Sequence, residues 1–124
     1  MSSSAGKLDR AQIAKDWQAR GYSCDLWVDP PGQVWEDYVH SADELLMLME
    51  GALELEMQGK TLRPVIGEEV LIPVHTPHTV RNTSATTARW SMGMKLVGLK
   101  PQMRLLALLI PTHQDRRYFY FKWL

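Results

Sequence analysis

Apolar residues recur at helical spacing at Leu8, Ile13 and Trp17, and Gly21 follows where a helix would stop. This pattern predicts a helix over Leu8–Arg20. Beyond it the period changes. SCDLWVD (residues 23–29) reads as a strand, ended by Pro30, Pro31 and Gly32. In ELLMLMEGALELEMQGKTLRP two signals compete. Glu, Leu and Met are strong helix formers. Against them, ALELEM alternates strictly, LLMLM is apolar on every side, Gly51 breaks the run, and MQGKT holds a turn glycine between strand-like flanks. Pattern outweighs propensity here and predicts strands at Glu44–Glu50, Leu53–Gln58 and Thr61–Arg63. Further strands are predicted at Glu69–Ile72, His78–Asn82 and Thr87–Lys95. No internal repeat is visible. Short strands punctuated closely by Gly and Pro predict an antiparallel barrel or sandwich.

Composition narrows this picture. The chain has 124 residues, enough for one domain, and is 45% apolar and 23% charged, as globular proteins are. Its formal charge is zero, which argues against a nucleic-acid partner, since that role needs a basic surface. Cys24 is the single cysteine, so no intramolecular disulfide and no thiolate zinc cluster can form. The start, MSSSAGKLDRAQIAKDW, lacks the apolar core of a secretory signal. The runs LLMLM and LLALLI are far short of the roughly 20 residues that cross a bilayer. The expectation is a soluble cytoplasmic protein with no membrane partner. Residues 1–7 are Ser-rich and expected to be disordered.

Candidate chemistry is concentrated in WEDYVHSADE (residues 35–44). Tyr38 and His40 are two apart, one face of a strand, whereas His40 and Glu44 are four apart, one face of a helix. Once strands are chosen, His40 and Glu44 fall on neighbouring strands joined by Ser41, Ala42 and Asp43. Such neighbours can converge on one point.

Spacing extends the pattern. Gly32, Tyr38, His40, Glu44 and Gly51 form one series, and Gly67, Pro73, His75, His78 and Asn82 a second. Together they resemble the two motifs of the cupin superfamily, small barrels of jelly-roll type. The spacing agrees throughout, and eight of the ten positions carry the family's residue. Tyr38 stands where the family has His, and His75 where it has Gly. The resemblance covers about Ser23–Lys95. It implies an all-β fold, a cupin-type antiparallel jelly-roll β-barrel with a short N-terminal helix. The chain then divides into a tail and helix (1–22), the barrel (23–95) and a C-terminal tail (96–124). That tail could cover the barrel, reach a partner subunit or hang poorly ordered. His113 lies in it and receives no role.

The resemblance also implies a site. His40, Glu44 and His78 would hold one divalent transition metal ion, because neutral imidazoles and a carboxylate suit Fe, Mn, Ni, Cu or Zn. Tyr38 could bind metal only as a phenolate, from a reference pKa of about 10. The preferred reading places Tyr38 in the cavity wall, hydrogen-bonded to a ligand or bound water, as a catalytic acid or orienting group. His75 is either a fourth ligand or a loop residue fixed by Pro73 and Pro77, the second being preferred. Each His also has a bland reading as a hydrogen-bonded core residue. Trp35, Trp90, Met92 and Met94 read as barrel core, and Leu46, Leu48, Leu53, Leu55 and Ile72 as its inward face. Two functions follow: a metal-dependent dioxygenase or isomerase acting on a small molecule, or a non-catalytic small-molecule-binding or sensor barrel. A purely structural barrel without metal is a third reading. Analogy with cupins of this size adds a homodimer.

Overall fold

A computed structural model describes residues 8–96 of the chain. The predicted disorder of residues 1–7, the tail beyond Leu96 and His113 lie outside the described residues. One helix, α1 (Arg10–Ala19), precedes eight strands: β1 (Asp25–Asp29), β2 (Val34–Tyr38), β3 (Glu44–Glu50), β4 (Glu54–Met57), β5 (Lys60–Leu62), β6 (Glu69–Ile72), β7 (His78–Arg81) and β8 (Ala88–Met94). The expected boundaries of the helix and of seven strands differ from these by at most two residues, while β2 had no expected bounds. All ladders are antiparallel, in two four-stranded sheets ordered β1-β8-β3-β6 and β2-β7-β4-β5. The sheets face each other across one core without joining at the β5 and β6 edges.

The helix starts at Arg10 rather than Leu8 because Asp9 caps it, its Oδ1 accepting from Gln12 N–H. Leu8 and Ile13 occupy the two positions of a hydrophobic staple, and both pack against the same apolar cluster. The helix ends in a Schellman arrangement: Tyr22 N–H donates to Trp17 O at 2.8 Å and Gly21 N–H to Gln18 O at 3.0 Å.

Strand β3 explains why LLMLM has no polar face. Leu46 and Leu48 point between the sheets into a core with Trp27, Leu53, Leu55, Ile72, Val80, Trp90, Met92 and Met94. Leu45 and Met47 point outward, where Trp17 and Tyr22 cover them. One strand thus carries two apolar surfaces, which reads in sequence like a helix buried on all sides. All five residues expected on the inward face are buried there, and Trp35 packs at the margin. Opposite the candidate site, Asp29 Oδ2 accepts from Trp35 Nε1 at 3.0 Å and from Trp90 Nε1 at 2.8 Å.

Glu69 on β6 clamps the helix to the first sheet. It accepts from Trp17 Nε1 at 3.0 Å and takes both Arg20 guanidinium nitrogens at 2.8 Å. The Arg20 hydrogen bonds hold the Glu69 carboxyl below its ordinary value of 4.5, overriding the effect of burial. A depressed carboxylate pKa contributes stability above the ordinary value and loses it as pH falls through the folded one. Glu69→Gln is therefore expected to be less stable than the wild type at neutral pH, with the gap closing as pH falls below the ordinary carboxylate range. Urea midpoints across that range test it; a gap independent of pH would sink the clamp.

Candidate metal centre

Glu44 begins β3 and points inward from the first sheet, while His78 begins β7 in the second. His40 comes from the segment joining β2 to β3. This corrects the expectation of His40 on a strand: β2 stops at Tyr38, and His40 lies two residues beyond. The three side chains still meet. Glu44 Oε1 lies 3.3 Å from His40 Nε2 and 3.3 Å from His78 Nε2, and one donor atom from each residue falls within a 4.8 Å group. All three are buried, at 4%, 0% and 2% exposure for His40, Glu44 and His78.

Several local features hold this geometry. His75 N–H donates to His40 O at 2.8 Å, tying the two motif loops together. Asp43, just before Glu44, accepts from Val74 N–H at 2.7 Å through Oδ1 and from Lys95 N–H at 2.9 Å through its carbonyl. Near Tyr38 a β-bulge matters more than spacing. Residues three apart on a regular strand face opposite sides. Between Trp35 and Tyr38 the register slips, Asp37 adopts φ 55°, and its N–H donates to Thr79 Oγ1. The extra residue returns Tyr38 to the side of Trp35, with the rings 6.3 Å apart. Tyr38 then stacks on His40 at 6.2 Å with the planes 16° apart.

The residues fit a metal ion. His78 Nδ1 lies 2.9 Å from Thr76 O. A carbonyl only accepts, so Nδ1 carries the proton, and in the neutral ring the Nε2 lone pair faces Glu44 Oε1. A bare lone pair against a carboxylate is favourable with a cation between them. A backbone carbonyl fixing the tautomer in this way is also the usual arrangement behind a metal-bound imidazole. Two imidazoles and one carboxylate in a buried pocket are a donor set for a divalent transition ion.

His75 stands apart from the group. Its side chain is exposed and its backbone has φ 61°, a left-handed conformation in which glycine is favoured. That conformation accounts for the glycine of the motif at this position. Gly51 illustrates the same economy: at φ 85°, an added Cβ would sit 2.6 Å from Thr87 O. Asn82, the last motif residue, organises a turn. It donates to Asp29 O at 3.1 Å and Thr86 O at 2.8 Å, and accepts from Ser84 N–H and Oγ–H. Cys24 is only half-buried, but burial pushes its thiol pKa up, away from a reactive thiolate.

Sequence reasoning missed Asp43 and the carbonyl of Thr76. Asp43 carries a weak signal as a polar turn residue. A carbonyl acceptor carries none, since every residue has one. A cleft of about 290 Å³ reaches His78 past Asp37, Met57, Gly59 and Pro77.

Comparison with known proteins places this geometry. The profile described as Cupin domain matches residues 25–95. No curated protein matches. A Cupin 2 conserved barrel domain protein from Salinispora arenicola aligns with TM-score 0.55 and 22% identity, over 60% of this chain and 62% of that one. The Cupin_2 domain of an XRE family transcriptional regulator from Enterobacter cloacae aligns with TM-score 0.55 and 21% identity, over 63% and 85%. A predicted oxalate decarboxylase from Thermotoga maritima aligns with TM-score 0.57 and 16% identity, over 73% and 76%. At these identities the structures are alike in fold. The alignment spans less than two thirds of the Salinispora protein. The matched segment makes up more than half of the 124-residue chain and contains both halves of the His-Glu-His group, and the chain belongs to the cupin family.

Proposed function

We propose that this cupin binds one divalent transition metal through His40, Glu44 and His78, and that a small molecule completes the coordination. The observation that carries this reading is the convergence of both imidazole Nε2 atoms on one buried carboxylate oxygen. A bound ion would act as a Lewis acid with positions left for ligand or water. The chain's own residues then have distinct tasks. Thr76 O holds the His78 tautomer, and the His75 N–H holds the His40 backbone. Tyr38 orients the His40 ring by stacking and would help orient a ligand beside it. The reaction class proposed is that of a dioxygenase or isomerase, in a homodimer of the cytoplasm.

A second reading, a non-catalytic binding or sensor barrel, draws on two observations. Tyr38 replaces one of the motif's imidazoles. The space between the sheets is filled by Trp27, Trp90, Met92 and Leu residues, and a cleft beside His78 is lined largely by polar residues such as Glu36, Asp37, Glu56 and Thr79. The fold is compatible with both, since its structural neighbours include a predicted decarboxylase and a domain of a transcriptional regulator.

Elemental analysis of the protein without a His-tag tests the metal. Near-stoichiometric metal that is lost from His40→Ala/His78→Ala is expected, as is its retention in Tyr38→Phe, which keeps the stacked ring. No metal in the wild type after reconstitution would leave only a binding or structural barrel.

A further inference from the structure

We propose that the Met94 thioether is a fourth donor of the metal centre, and that this soft ligand biases the centre towards copper and towards its reduced ion. This rests on the metal reading above and deepens it.

The ladder between β3 and β8 sets Glu44 directly opposite Met94. Opposite residues of an antiparallel pair share a face of the sheet. That face is the inner one, because Met94 is fully buried in the core between the sheets. Met92 also lies on the inner face, but it is set opposite Leu46, two residues further along β3 from the carboxylate.

Backbone hydrogen bonds decide how closely the two side chains approach. Met94 donates its N–H to Ser23 Oγ at 3.0 Å, and its carbonyl accepts from Ser23 N–H at 3.0 Å. Both bonds run towards the chain just before β1, away from β3. One residue on, Lys95 N–H donates to Asp43 O at 2.9 Å. Glu44 and Met94 are therefore a non-hydrogen-bonded pair, the type in which facing side chains stand closest. Glu44 turns its own backbone groups the other way, towards Ile72 on β6, so that pair is of the wider type.

Chemistry gives the position its meaning. Two imidazoles and a carboxylate leave coordination positions open, and Tyr38 stands where the motif has a further imidazole. A leucine would fill the space opposite Glu44, but only sulfur brings a lone pair there. Thioethers are soft ligands that select Cu(I), whereas harder ions such as Mn prefer oxygen. Charge points the same way. Within the His40, Glu44 and His78 group the carboxylate is the one charged donor, since metal-bound imidazoles are neutral. A thioether adds no charge. Cu(I) would thus make the buried group electrically neutral, whereas a divalent ion would leave a positive charge over, and burial favours the neutral state.

X-ray absorption at the copper edge tests this on the full chain without a His-tag, loaded with Cu(II) and then reduced anaerobically with ascorbate. A sulfur shell around copper is expected in the wild type and in Met92→Leu. It should be lost in Met94→Leu, a change that conserves volume. Cu(I) affinity, read by competition with bathocuproine disulfonate, should fall in Met94→Leu by at least the roughly tenfold that losing a partner behind a ligand costs. Affinity for Mn should not change. Selenomethionine labelling asks the same question without a variant: the sulfur shell should become a selenium shell, which also separates Met94 from Cys24. Copper with only nitrogen and oxygen neighbours, or a sulfur shell that persists in Met94→Leu, would overturn this role and leave the His-Glu-His site standing. A wild type that takes up neither copper, manganese, iron nor zinc would overturn both.

Discussion

Glu44→Gln is expected to remove metal binding while leaving the fold intact. Glu44 is fully buried, and its Oε1 is the atom on which His40 and His78 converge. The amide keeps the shape and loses the anionic oxygen a divalent ion needs. Metal at about 100 times its Kd should add about 2.7 kcal/mol to the wild type. For a domain of this size that is a rise in Tm of roughly 10 °C. The variant should show almost none. Its metal-free form should nevertheless be at least as stable as the metal-free wild type. A buried carboxylate without a cation is costly, and a neutral amide can instead donate to the lone pair of His78 Nε2. Differential scanning fluorimetry with and without Mn, Fe, Co or Zn separates the two effects. A metal-induced shift that survives in Glu44→Gln would remove Glu44 from the ligand set.

The motif was legible because its spacing survives any local irregularity. His40, Glu44 and His78 could be picked out in the sequence with no knowledge of how the chain turns between them. The mechanism of their convergence was not. His40 was expected on a strand, yet the bulge at Asp37 and the early end of β2 place it in a connecting segment. A bulge is a single residue in an unusual conformation, and Asp37 is one of many residues that can adopt it. The strands were legible where alternation or glycine punctuation dominated, as at β3 and β4. The doubly apolar β3 was the hard case, because its outer face is explained only by a helix some thirty residues upstream. His75 shows the reverse: its departure from the motif is plain in sequence, but only the backbone at φ 61° shows what a glycine would do there.

Trp17→Ala is expected to cost about 3–5 kcal/mol, the range for deleting a fully buried large aromatic. Trp17 is 0% exposed and covers Leu45 and Met47 on the outer face of β3. Its indole N–H reaches Glu69, so the deletion also loosens the clamp on β6. The close fit has a counterpart beneath it. A Cβ on Gly93 would come within 2.7 Å of the Trp17 ring and would also collide with Ser23 O. Gly93→Ala should therefore destabilise the same layer from the other side, by about 1–3 kcal/mol. Neither change should remove metal, because Trp17 packs on Leu45 and Met47 while Glu44 faces the opposite side of the strand. Urea unfolding followed by circular dichroism, paired with metal content, checks both statements. A loss below about 1 kcal/mol for Trp17→Ala would mean that α1 unfolds separately from the sandwich. Metal lost from a variant that remains folded would mean that the two faces of β3 are coupled, and that the helix helps hold Glu44 in place.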